Sequence, residues 1–236
     1  MNLSNKRILV VGGTSGFGRE VAIQSTQQGA EVEVIGRNPK RVATFNKEHT
    51  DIEATVLDAT NSTDLKNYFA STQSFDHIIS TLGGAMGGGF LDSSLEKIRQ
   101  TVEDKFFANL QLARIAHNFL NKKGSLIFTS GSGGHPYDAS GAIVGNSAIN
   151  TMVAGLAVEL APDYRVNAVS PTWTPTGLWR DMSETDVMQQ VKNFSQGVPL
   201  KRVATIEEVA SGYVYLMQND FVTGQILNID GGIDLN

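Results

Sequence analysis

The chain has no cysteine among its 236 residues. That excludes disulfides and a thiolate nucleophile, and nothing favours an oxidising compartment. Positive charge is also scarce: 19 Lys and Arg against 24 Asp and Glu leave a net charge of −5. No basic patch offers itself to nucleic acid or to an anionic membrane. The four histidines, His49, His77, His117 and His135, are scattered without metal-site spacing. No run approaches the roughly 18 uninterrupted apolar residues of a membrane span, and residues 1–7 lack the apolar stretch of a signal peptide. A cytoplasmic protein with one domain over residues 1–236 is the expectation, since 41% hydrophobic residues suffice for one substantial core.

What the sequence does have is a glycine loop near its start, Val10-Val11-Gly12-Gly13-Thr14-Ser15-Gly16-Phe17-Gly18. An apolar run leads into it and an amphipathic segment leads out, in the order strand, turn, helix. Such a turn gathers backbone N–H groups and the positive end of a helix at one point, where a phosphate can sit. Glycine is needed because a Cβ would block the turn or hold a pyrophosphate away.

Beyond the loop, strands are predicted at 31–35, 52–57, 77–81, 125–129, 165–169 and 225–229. Between them lie predicted helices at 19–28, 40–47, from Ser62 or Thr63 to 70, 95–121, 142–160 and 206–217, with an amphipathic, partly mobile lid over 177–198. Alternating elements with mostly apolar strands predict about seven parallel strands covered by helices on both faces, a three-layer α/β/α arrangement. The polar and glycine-rich clusters fall after strand ends, the edge where such sheets bind ligands.

Taken together, the chain resembles the short-chain dehydrogenase/reductase family over its whole length, with that family's Rossmann-like doubly wound sheet. The resemblance is carried by Gly12-x-x-x-Gly16-x-Gly18, with Val11 where Thr is usual, and by Asp58-Ala59 after the third strand. It is carried further by Asn167-Ala168-Val169-Ser170-Pro171, with Thr172 where Gly is usual, and by Thr223-Gly224-Gln225-Ile226 through Asp230-Gly231-Gly232. The resemblance implies that Gly12, Thr14, Ser15, Gly16, Phe17 and Gly18 hold the cofactor's phosphates and that Asp58 and Ala59 meet the adenine. It places Thr81, Leu82 and Gly83 along the ribose, and Pro171, Trp173, Thr174 and Thr176 around the nicotinamide carboxamide and pyrophosphate. Trp173 and Trp179 are alternatively core or interface aromatics. A homodimer or homotetramer is implied as well.

The cofactor follows from charge. An acid at the end of the second strand would repel a 2′-phosphate. Here the residues are Gly36-Arg37-Asn38, and Arg37 offers a planar fork of donors. NADP(H) is therefore expected, with Asn38 beside it; the alternative is that Arg37 is a solvated loop residue.

The family's chemistry rests on a Tyr-x-x-x-Lys pair, and here the pattern departs. Its positions fall on Ala142 and Asn146, and there is no lysine between 124 and 191 to rescue the register. Lys105 stands where the family's helix Asn would be, either as a replacement ammonium with a desolvated, useful pKa or as an ordinary surface lysine. After the fifth strand, Ser130 is the first candidate to contact a substrate oxygen and Ser132 the second; a turn using serines for local bonds is the alternative. His135 is a lesser acid/base candidate. Glycines 83, 84 and 87–89 make an open wall, suited to a bulky substrate or to a flexible loop.

The expected function is an NADPH-dependent oxidoreductase reducing a carbonyl or activated double bond of a small molecule, with Lys105 and Ser130 as catalytic candidates. The alternative is an NADP(H)-binding sensor or scaffold without redox turnover.

Overall fold

Alternation along the strands builds the fold. In β1 (Arg7–Val11) successive side chains point to opposite faces. Ile8 and Val10 enter one core with Val21, Val34 and Tyr213, while Leu9 and Val11 enter a second with Phe69, Leu112 and Val153. The sheet is buried on both sides, which is why its strands read as continuous apolar runs. The computed structural model describes residues 2–235.

The elements follow in order: β1, α1 (Gly16–Gln27), β2 (Glu31–Gly36), α2 (Pro39–Glu48), β3 (Glu53–Val56), α3 (Ser62–Ser71) and β4 (Phe75–Ser80). Then come α4 (Leu95–Val102), a π-helical turn (Glu103–Phe107), α5 (Ala108–Ala116), β5 (Leu120–Thr129), α6 (Ser140–Glu159) and β6 (Arg165–Pro171). The chain finishes with α7 (Glu184–Gly197), α8 (Ile206–Gln218) and β7 (Ile226–Ile229). The seven strands are all parallel, in the order β3-β2-β1-β4-β5-β6-β7. β1 lies between β2 and β4, so the winding direction reverses there and a crevice opens at the strands' C-terminal ends.

Local chemistry sets the helix starts. Asn38 caps α2, its Oδ1 accepting from Arg41 N at 3.0 Å, with Pro39 pre-set at the first turn. Asn61, not Ser62 or Thr63, caps α3 by accepting from the backbone N–H groups of Thr63 and Asp64. Thr205 and Glu208 form a reciprocal capping box on α8.

The predicted helix over 95–121 is interrupted. At its π-helical turn the Ala108 N–H reaches back five residues to the Glu103 carbonyl. The Lys105 carbonyl accepts the side-chain amide of Asn109 at 2.5 Å, and Asn109 Oδ1 accepts from Ser80 Oγ on β4 at 2.5 Å. The wide turn is thus anchored to the sheet, and it turns Lys105 inward. By length and composition α6 alone among the described residues could cross a membrane. Its buried face, with Ile149, Met152 and Val153, instead packs into the second core.

Candidate active site

At the C-terminal edge of the sheet lies a cleft of about 1030 Å³, bounded by the glycine loop, the ends of β2 to β6 and the lid. That is at the upper end of about 300–1,000 Å³ for small-molecule sites, room for a long ligand and a reaction partner.

The glycine loop enters from β1. Gly12 sits at φ +88, and a Cβ there would stand 2.5 Å from Thr81 Oγ1. Ser15 precedes α1 without making a side-chain cap, so the first N–H groups of that helix keep no such partner and open towards the cleft. Gly18 does not line the cleft. It lies beneath the loop, where a Cβ would come 2.7 Å from the Gly12 carbonyl, so its part is to let helix and strand pack. Asn38 likewise stays out of the cleft and serves as the α2 cap. Thr14 packs against Gly36.

The remaining sequence-predicted residues come together along one wall. Arg37, Asp58, Ala59, Thr81, Leu82 and Gly83 line one half of the cleft, and Pro171, Trp173, Thr174 and Thr176 the other. Asp58 is held ionised below the usual carboxylate range, chiefly by the Thr60 hydroxyl and backbone N–H bonded to its Oδ1. Thr176 Oγ1 accepts from Leu178 N at 3.2 Å. Trp173 lies against Trp179 on one side and Phe194 of α7 on the other, with ring centroids 5.5 and 5.4 Å away, so both tryptophans join the lid to the body.

Lys105 is not a surface residue. It is 8% exposed, and its side chain passes between two glycines on its way into the cleft. A Cβ on Gly83 would stand 3.1 Å from Lys105 Cγ and 3.5 Å from Nζ; one on Gly145 would stand 3.0 Å from Cβ and 3.1 Å from Cδ. Its ammonium makes no hydrogen bond or ion pair among the described residues, and burial lowers its pKa from 10.5 to about 8.

Ala142 and Asn146 stand one turn apart on α6 and both line the cleft. Asn146 Nδ2 donates to the Gly131 carbonyl at 3.1 Å, while its Oδ1 is buried without a partner among the described residues. A Cβ on Gly131 would stand 2.7 Å from that Nδ2, so Asn146 and Gly131 suit each other. Ser130 lines the cleft, but its hydroxyl donates to Asn150 Oδ1 at 2.6 Å. Its proton is committed to α6, which favours a supporting part over a donor to substrate. Ser132 contacts the Ser170 carbonyl, and His135 stacks on Tyr137 at 5.1 Å.

Sequence reasoning missed Asn109, which fixes the turn carrying Lys105, and missed the hydrogen bond by which Asn146 holds the Gly131 carbonyl. It also missed Arg41 and Arg180, which line the cleft beside Arg37. Only the position of Arg41 one turn after Arg37 hinted at this.

Comparisons with known proteins agree with this fold. Residues 11–234 match the family described as enoyl-(acyl carrier protein) reductase. A short-chain dehydrogenase/reductase of Gibberella fujikuroi, fsr5, is 31% identical over 98% of this chain and 95% of its own. A short-chain type dehydrogenase/reductase from Mycobacterium ulcerans superposes with a TM-score of 0.88 at 26% identity, over 100% of this chain and 92% of that one. A small-chain dehydrogenase crystallised in complex with NADPH superposes with a TM-score of 0.84 at 27% identity, over 99% of this chain and 100% of that one. By fold, by motif and by the length of these matches, the chain belongs to the short-chain dehydrogenase/reductase family.

Proposed function

We propose that the chain is an NADPH-dependent reductase of a carbonyl or activated double bond, in which Lys105 supplies the proton that the family's Tyr-x-x-x-Lys pair otherwise handles. The observation that carries this reading is the buried, unpaired Lys105 ammonium opening into the cleft across from Ala142 and Asn146.

The residues present fit a dinucleotide. The Gly12–Gly18 turn leaves the close approach that a pyrophosphate needs, and Asp58 keeps an ionised oxygen for an adenine amino group. Asn146 Oδ1, orphaned and buried beside the cleft, is an acceptor suited to a ribose hydroxyl. Arg37, with no acid at the end of β2, favours NADP(H) over NAD(H). The relative crystallised with NADPH supports the same choice.

NADPH, when bound, supplies the hydride. Lys105 has three N–H donors and gives one proton to the oxygen, or to the carbon of an activated double bond, that takes up the displaced electron pair. The neutral amine is then reprotonated by water. Its pKa of about 8 keeps most of the ammonium loaded at neutral pH while making it a far better acid than an exposed lysine. Ser130 and Asn150 brace α6 behind it. Exposed small residues on α6, such as Ser147 and Thr151, suit pairing with a second copy, which sedimentation would test.

Stereospecifically deuterated NADPH offered with a panel of carbonyl compounds tests the reading. Deuterium in product, lost in Lys105→Ala, supports it. Tight NADPH binding with no transfer to any carbonyl or enone favours a sensor or scaffold instead.

A further inference from the structure

Three arginines converge on the adenosine end of the cleft from three separate segments. Arg37 follows β2, Arg41 lies in the first turn of α2, and Arg180 stands on the lid just after Trp179. None of them forms an ion pair among the described residues, whereas nearby Arg19 pairs with Glu48 at 3.1 Å. Arg41 Nε is buried and has no hydrogen-bond partner among the described residues. Burial, then Arg180, then Arg37 depress the Arg41 pKa, so the lid arginine is the stronger of its two positive neighbours.

The base of the lid brings Arg180 there. A Cβ on Gly177 would stand 3.2 Å from Arg180 Nη2 and 3.8 Å from Ser15 Cβ, so this segment lies directly over the glycine loop. Guanidinium groups do not lose their protons near neutral pH, so their mutual repulsion persists unless an anion sits between them. A phosphate dianion, with three acceptor oxygens, matches several guanidinium forks at once.

We infer that the 2′-phosphate of NADP(H) is gripped jointly by Arg41 of α2 and Arg180 of the lid, and that this phosphate draws the lid onto the cleft. This rests on the NADP(H) reading above and adds two residues and a coupling to it. NAD(H), with a hydroxyl at that position, leaves Arg41 and Arg180 repelling each other. Cofactor choice and lid closure are then one event.

The protein's two tryptophans, Trp173 and Trp179, both lie at the lid base, so selectively excited tryptophan fluorescence reports that region alone. The probes are adenosine 2′,5′-bisphosphate and AMP, which differ only in the 2′-phosphate and carry no nicotinamide to quench emission. Calorimetry gives affinity, and tryptophan emission with acrylamide quenching gives lid state. In the wild type the bisphosphate binds more tightly and protects the tryptophans, whereas AMP does not protect them. Arg41→Ala and Arg180→Ala each lower bisphosphate affinity by about tenfold, as expected for a lost charge-assisted bond, and leave AMP affinity unchanged. At saturating bisphosphate, Arg180→Ala also loses the protection. An Arg180→Ala protein that keeps either the full affinity advantage or the protection overturns the inference. If Arg37→Ala removes the preference while Arg41→Ala and Arg180→Ala do not, the inference fails and the NADP(H) reading stands. A wild type without any preference for the bisphosphate sinks both.

Discussion

Lys105 and Gly145 are in contact across the wall of the cleft: a Cβ at 145 would lie 3.0 Å from Lys105 Cβ and 3.1 Å from Cδ. The glycine is therefore the slot through which the lysine stem reaches the site. Gly145→Ala brings two opposing effects. Alanine favours the helix by about 1 kcal/mol, while overpacking costs about 1–3 kcal/mol. In the wild-type background overpacking wins, so the thermal midpoint falls and turnover drops as the ammonium is displaced. In a Lys105→Gly background the Cβ and Cδ that crowd position 145 are both gone, and the same substitution stabilises by about 1 kcal/mol. The sign reversal between backgrounds is the measurement; equal effects in both would refute the contact.

Burial of Lys105 also makes stability depend on pH. Its pKa is lowered to about 8 in the folded protein from 10.5, so between these values the unfolded chain binds the extra proton. Stability from this group is thus fully present above about 10.5 and is lost as pH falls through about 8. A shift of this size corresponds to about 3 kcal/mol. Lys105→Met removes the buried charge, so it is expected to stabilise the protein by about 1–3 kcal/mol at pH 6.5 while abolishing turnover. The gain shrinks as pH rises past 8. Urea midpoints of both proteins at pH 6.5 and 10 check this.

The same group sets the direction of the activity profile. Reduction consumes the ammonium form, so kcat/KM is expected to be level at low pH and to fall above about 8. Lys105→Arg keeps the positive charge but holds its proton too tightly to give it up, and is expected to lose about 10²–10⁴ in rate together with the alkaline limb. An Arg variant of near wild-type rate would reduce Lys105 to an electrostatic part. A limb that survives in Lys105→Met would assign the proton to another group.

Much of this was legible along the chain because it is written locally. The apolar runs before Gly12, at 77–81 and at 165–169 read as strands, and the glycine and serine clusters after β1, β4 and β5 line the cleft, whereas Gly231 and Gly232 after β7 pack against Val198 and Pro199. The glycine loop followed from spacing, and Asp58 from the family resemblance. What spacing does not contain is proximity between distant segments. Arg180 lies far along the chain from Arg41, and only the packing of the lid over Ser15 brings them together. Gly18 and Asn38 were read as ligand contacts, but a glycine beneath a turn and an asparagine before a helix look the same in sequence whether they touch ligand or backbone. The break at 103–107 escaped for a related reason: its cause is a side chain bonded to β4, not a helix-breaking residue.

That side chain, Asn109, is the positioning residue behind Lys105. It is fully buried, gives its amide proton to the Lys105 carbonyl and accepts from Ser80 Oγ. Asn109→Leu keeps similar volume but strands both partners, at a cost of about 1–3 kcal/mol for a buried group left unsatisfied. A purely structural role would stop at that loss of stability. If Asn109 aims Lys105, the variant also moves the alkaline limb of kcat/KM towards higher pH, because a loosened turn lets water reach the ammonium and restores its ordinary affinity for the proton. Substrate KM changes less than kcat, since the turn positions the acid and not the binding wall. A destabilised Asn109→Leu protein with an unmoved limb would leave the π-helical turn with a packing role only.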